Sequence, residues 1–179
     1  MKNTTSRRDL VCLALLASFG APAVGAEAGA RIPGWGTLTF TLPEGWRVHA
    51  STDSASSLTL GPSNGRAFEV RILPFTSPQT GIPPSTPELL SGQANANAKY
   101  RARDALEPAL SVRQFRAGDS FGYYYSFTDK AQKPGDFRHY TEGLAQIAGY
   151  PIAFVVCSEQ ASADLLTQVL RFLQQGRRA

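Results

Sequence analysis

Cysteine is nearly absent from these 179 residues: Cys12 and Cys157 are the only two, so a disulfide framework is excluded as the basis of the fold. Histidine is equally scarce. His49 and His139 stand in no His-Glu-x-x-His spacing, and no Cys-x-x-Cys occurs, so the usual zinc patterns are missing. There is no Gly-x-Ser-x-Gly elbow for a hydrolase nucleophile. Gly61-Pro62-Ser63-Asn64-Gly65 lacks the Gly-x-Gly-x-x-Gly spacing and the lysine of a phosphate loop, and reads as a turn. No apolar run approaches the roughly 20 residues that span a bilayer, so the mature chain is expected to have no transmembrane anchor. Charged residues are few at 18%, against 42% hydrophobic, a balance that argues for a packed core in a single domain. Although the chain is basic, its lysines and arginines are scattered rather than gathered on one face. Nucleic-acid binding is therefore not expected, and the Arg177-Arg178 pair reads as a solvated tail. These absences lead to the expectation of a non-enzymatic protein with no cofactor and no bound metal.

What is present begins with an export signal. Lys2, Arg7 and Arg8 precede an uncharged run over residues 10–19 and then the small residues of 21–26, the layout of a secretory signal peptide over residues 1–26. Cleavage after Ala26 is expected, with Ala28 as the alternative. Ser6-Arg7-Arg8-Asp9-Leu10 also matches the twin-arginine export motif, so both the general and the twin-arginine route stay open. Cys12 has no small residue before it, which argues against a lipid attachment site. The expected location is the bacterial periplasm or the exterior. Removal of residues 1–26 leaves 15 Lys and Arg against 13 Asp and Glu, a net charge of only +2, and Cys157 as the single thiol.

The remainder, 27–179, reads as one α+β domain. Leu38, Phe40 and Leu42 alternate on one face of a strand, Pro43-Glu44-Gly45 turns the chain, and residues 46–49 return beside it. Residues 58–60 and 68–72 flank the 61–65 turn as a hairpin. Residues 74–87 hold five of the twelve prolines and read as a surface loop. Thr86-Pro87-Glu88 supplies a cap, a first-turn proline and an acid, which start a helix running to about Asp104. Asn95 and Asn97 make it an intrinsically poor one. Residues 110–115 form a further strand. After a central meander Ser162 caps a closing helix whose Leu165, Leu166, Val169, Leu170 and Leu173 recur at three and four residues.

The meander over 120–157 is the best-patterned part of the chain. Phe121, Tyr123, Tyr125 and Phe127 share one face of a strand by the period of two. A Pro-Gly connection over 128–136 leads to a strand over 137–147, and a two-residue loop at Gly149-Tyr150 would set Ile147 opposite Ile152 and Cys157 opposite Glu142. Pairing Phe127 with Phe137 would make Tyr124 and Tyr140 direct cross-strand neighbours. That register yields a candidate binding surface of Tyr124, Arg138, Tyr140 and Glu142, with Gln146 beyond, opposite the apolar face: two phenols flanked by opposite charges. The competing account lays Leu166, Val169 and Leu173 of the closing helix over those tyrosines as core. Cys157 and His139 are the residue types of a nucleophile and its base, but the expected pairing places the two on opposite faces.

The run Leu38-Thr39-Phe40-Thr41-Leu42-Pro43-Glu44-Gly45-Trp46, the following hairpin, the middle helix, the Gly122-Tyr123-Tyr124-Tyr125 strand and the closing helix together resemble the PsbP-like family. That fold is shared by the photosystem II accessory protein, small bacterial secreted proteins and a nuclear-import factor. The resemblance implies an antiparallel sheet with two main helices packed on it. It also implies a binding or assembly-accessory role toward a protein partner, with no catalytic residue to carry across. A small-molecule carrier or enzyme, with a pocket between the sheet and the Pro-rich loop, is the rival expectation.

Overall fold

The computed structural model describes residues 25–32, 36–49, 57–75 and 85–179. Residues 1–24 of the segment expected to be an export signal, and most of the Pro-rich loop, lie outside these described residues. In chain order the elements are β1 (Glu27–Ile32), β2 (Gly36–Thr41), β3 (Trp46–His49), β4 (Leu58–Pro62), β5 (Phe68–Pro74), α1 (Pro87–Arg101), β6 (Arg113–Ala117), β7 (Ser120–Thr128), β8 (His139–Ile147), β9 (Tyr150–Ser158), α2 (Ala163–Gln174) and β10 (Arg177–Arg178). Seven strands form one antiparallel sheet in the order β3-β4-β5-β9-β8-β7-β6, and three form a second in the order β1-β2-β10. No helix among the described residues is long and apolar enough to cross a membrane.

Both faces of the large sheet carry apolar cover. On one face Leu60, Val70, Ile72, Ile152, Phe154, Ala145 and Tyr124 meet Val169, Phe172 and Leu173 of α2, together with Leu38 and Phe40 of the small sheet. Phe40 stacks on Phe172 at 4.8 Å between ring centroids, and Trp46 closes the cluster at 5.6 Å from Phe172. On the other face α1 sets Leu90 against Phe121 and Leu144, and Ala98 against Tyr125 and Phe127. The alanines at 94 and 98, both buried, let this weak helix approach the sheet closely, and packing supplies what its asparagines withhold.

Three strands differ from the sequence reading. β2 does not pair with β3: it lies between β1 and β10, while β3 pairs with β4 in the large sheet. β1 carries Ala28, Ala30 and Ile32 inward on an alternating pattern too poor in branched residues to announce a strand. Arg177 and Arg178 are not a free tail, because they pair with Thr39 and Leu38. The Arg177 guanidinium reaches Glu27 and Thr41 at 3.4 Å, and that of Arg178 lies over the Tyr150 ring.

Two registers differ as well. The β8–β9 loop is Ala148-Gly149, with φ of 49° and 84°, the pair of left-handed residues that a two-residue type I′ hairpin requires. Ile147 therefore faces Tyr150, Gly143 faces Phe154, and Cys157 faces Tyr140. This is a shift of two residues, which leaves every side chain on its expected face. Between β7 and β8 the shift is three: Phe127 faces Tyr140, and Tyr124 faces Gly143. An odd shift exchanges faces. Phe137, expected as the first residue of the strand, ends the connection instead, buried beneath the Arg66 guanidinium.

Phe154 is fully buried, whereas Arg138 is exposed. Phe154→Ala is expected to cost about 3–5 kcal/mol and Arg138→Ala less than about 0.5 kcal/mol. Urea midpoints of the two variants decide this, and equal midpoints would refute the core assignment.

Candidate binding cleft

The three-residue shift disperses the four residues expected to form a surface. Tyr124 faces α2 and is buried in the main core, 6.3 Å from the Phe115 ring. Tyr140 and Glu142 face the α1 side, sharing a face with Phe121, Tyr123, Tyr125 and Phe127. Arg138 precedes β8, and its backbone N–H donates to the Ser158 carbonyl at 3.3 Å. No common platform of Tyr124 and Tyr140 exists, and α2 covers only the former. Tyr140 instead stacks on Phe127 at 5.3 Å with 14° between the planes.

Glu142 is a structural acceptor. The Tyr125 hydroxyl donates to its Oε2 at 2.6 Å, and Arg101 from the last turn of α1 donates to both carboxylate oxygens, Nε at 3.1 Å and Nη2 at 2.9 Å. Burial first, then the Glu142 hydrogen bond and charge, push the Tyr125 phenol well above its ordinary value, so it remains a donor. This fork pins the end of α1 to the middle of the sheet. Cys157 is buried on the same face, and burial pushes its thiol up to about 11. His139 lies on the opposite face, level with Ser158.

The polar residues that converge do so elsewhere, where the ends of β7, β8 and β9 meet the start of α2. Ser126, Thr128, His139, Thr141 and Ser158 share the α2 side of the sheet there, around a cavity of about 260 Å3. Val156, Leu165 and Leu166 form its apolar wall. Glu107 enters from the segment after α1. The Ala105–Asp129 bridge and the Leu106 N–H to Thr128 carbonyl bond of 2.9 Å fasten that segment beside β7.

Hydrogen positions follow from the donor inventory. Glu107 Oε2 accepts the Thr128 backbone N–H at 2.9 Å, and Oε1 accepts the Thr128 hydroxyl at 2.8 Å. A carboxylate only accepts, so the single hydroxyl proton of Thr128 is committed to Glu107. His139 Nδ1, 3.3 Å from the same oxygen, must then be the donor. In the neutral imidazole this leaves Nε2 as an acceptor. Ser126 and Thr141 hydroxyls lie 2.7 Å apart; one proton bridges them and the second has no protein partner among the described residues. The Ser158 hydroxyl donates to the Gln160 carbonyl at 2.9 Å and keeps its lone pairs. Burial alone would raise the Glu107 carboxyl, but the Thr128 N–H and hydroxyl, with nearby His139, outweigh it and hold the acid below its ordinary 4.5.

Sequence reasoning missed this cluster. Glu107 sits in an irregular connection with no period. The legible signal was the change along β7 from aromatic to hydroxyl residues at Ser126 and Thr128, matched by His139 and Thr141 on its partner.

Comparison with known proteins gives a fold and no more. No family model matches the chain, and no curated protein matches it. Among solved structures, it is similar to the solution structure of cyanobacterial PsbP (CyanoP) from Synechocystis sp. PCC 6803, at 11% identity and a TM-score of 0.50, over 92% of this chain and 99% of that one. The chain has a PsbP-like α+β fold, as the sequence resemblance implied.

Because the depressed Glu107 acid favours the folded state above its unfolded pKa, its contribution is present at neutral pH and lost as pH falls through the lowered folded value. Glu107→Gln is expected to lower the urea midpoint at pH 7 and to approach wild type below about pH 4. A gap that is unchanged at pH 3 would exclude charge as its source. Tyr140→Ser, which removes the stack on Phe127, is expected to cost about 2 kcal/mol by urea unfolding.

Proposed function

We propose that this PsbP-like chain is an exported, non-enzymatic binding or assembly-accessory protein that engages a partner protein through the cleft at Thr128 and His139. The observation that carries the reading is the order of the Glu107–Thr128–His139 chain. In nucleophilic triads the imidazole stands between acid and hydroxyl and takes the hydroxyl proton. Here the hydroxyl stands in the middle with its proton turned toward the carboxylate, so the imidazole is not positioned to withdraw it. The remaining hydroxyls and the imidazole form a fixed set of donors and acceptors beside an apolar wall, the composition of a recognition site. Export is supported by the layout of residues 1–26.

The rival pocket between sheet and Pro-rich loop gains no support. Residues 76–84 lie outside the described ones, and the cleft opens at the end of β9 opposite to Pro74, which pairs with Ile152.

A photo-crosslinking amino acid placed at the exposed Ser126 is expected to yield a discrete higher-mass adduct in cells, whereas the same probe at Lys99, exposed on α1, should yield none. Identical adduct patterns at the two positions, or monomer alone at both, would overturn the proposal.

A further inference from the structure

The cleft holds one acceptor and one donor that no protein group among the described residues satisfies. His139 Nε2 is the acceptor. Only the His49 Nε2 is both enclosed and unpartnered among the described residues, so the His139 atom is open to the cavity that its ring lines. The donor is the second proton of the Ser126–Thr141 pair. His139 and Thr141 stand two residues apart on one face of β8, about 6.6 Å along the strand, and Thr128 and Ser126 repeat that spacing on β7. One oxygen about 2.8 Å from each group spans most of this interval. It has to donate to the imidazole and accept from the hydroxyl pair at once, which is the property of a hydroxyl.

The rest of the lining limits what can carry that hydroxyl. Val156, Leu165 and Leu166 form an apolar wall, and the cavity of about 260 Å3 is larger than the roughly 150 Å3 that accommodates benzene in a dry protein interior. Glu107 keeps its negative charge and Arg113 adds a positive one to the lining, so neither an anion nor a cation is selected. Phenylalanine and leucine would cover the wall but leave both polar groups unmatched, and an indole only donates. Serine and threonine carry the hydroxyl without the apolar body. Tyrosine combines a ring with a tip that both donates and accepts.

From this arrangement we infer that the partner protein anchors itself in the cleft through a tyrosine side chain. Its ring lies against Val156, Leu165 and Leu166, and its hydroxyl donates to His139 Nε2 while accepting the free proton of the Ser126–Thr141 pair. The inference rests on the binding reading above and adds the chemistry of the anchor. Glu107 takes part at one remove: by holding the Thr128 proton it makes His139 Nδ1 the donor, which fixes Nε2 as the acceptor.

The test uses p-cresol, the tyrosine side chain as a free molecule, titrated into the isotope-labelled protein beside toluene and p-methylanisole, which keep the ring but have no O–H to donate. Cresol is expected to shift the amide resonances of Ser126, His139 and Ser158 and to bind at least about tenfold more tightly than either analogue. His139→Leu should erase that preference. His139→Gln, whose amide can donate to Thr128 and accept through its oxygen, should retain most of it, a rescue that a merely structural role would not produce. In the adduct formed from the photo-crosslinking residue at Ser126, where Thr141 keeps its own hydroxyl, the partner peptide should contain a tyrosine whose replacement by phenylalanine weakens adduct formation about tenfold. Equal affinity for cresol and toluene, or an adduct indifferent to that replacement, would remove the tyrosine anchor and leave the binding cleft standing. No amide shifts and no adduct would remove both.

Discussion

Ala148 and Gly149, with their left-handed backbones, hold β8 against β9 in a register on which the rest of the large sheet depends. β9 is flanked by β8 and β5, and its alternation sends Ile152, Phe154 and Val156 toward α2 while Cys157 points away. Opposite Phe154 stands Gly143, where even a Cβ would come within 2.3 Å of the ring; a β8 slipped by one residue would have to seat Glu142 or Leu144 there. Turn chemistry and steric fit thus enforce the same pairing, and each would be strained by any other.

The same pairing decides what the two helices do. The α1 face receives the aromatic ladder of β7 and needs a tether, because α1 has little amphipathic drive of its own; the Arg101–Glu142–Tyr125 fork provides it. Loss of either donor there would leave a partly buried carboxylate under-satisfied, a cost of about 1–3 kcal/mol. The α2 face needs no such device, since Val169, Phe172 and Leu173 insert directly into the main core. Its first turn instead stands over the polar strand ends, where the sheet's apolar character gives way to hydroxyls.

Period-two and helical patterns made most elements legible: the β4–β5 hairpin, both main helices and the three strands of the meander are where alternation and capping residues placed them. Register was not legible. An alanine at positive φ carries no composition signal, and a glycine beside a tyrosine and a proline drew the turn one residue too late. The aromatic Phe137 drew β8 two residues too early, and the odd mispairing that followed put Tyr124 with Tyr140. β1 escaped notice because its inward residues are mainly alanines, and β10 because two arginines seldom mark a strand. The cleft could be read only in part: Ser126, Thr128, His139 and Thr141 follow from their strands, but Glu107 reaches them through an irregular segment whose course no local pattern encodes.

Cys157 has a consequence of a different kind. Its thiol is enclosed in a central strand beneath Tyr140 and Glu69, and burial keeps it protonated at neutral pH. Reaction with a disulfide or an alkylating reagent needs an exposed thiolate, so it has to await the separation of β9 from its neighbours. The Cys157 sulfur is thereby an internal clock: its rate of modification measures how often the centre of the sheet opens.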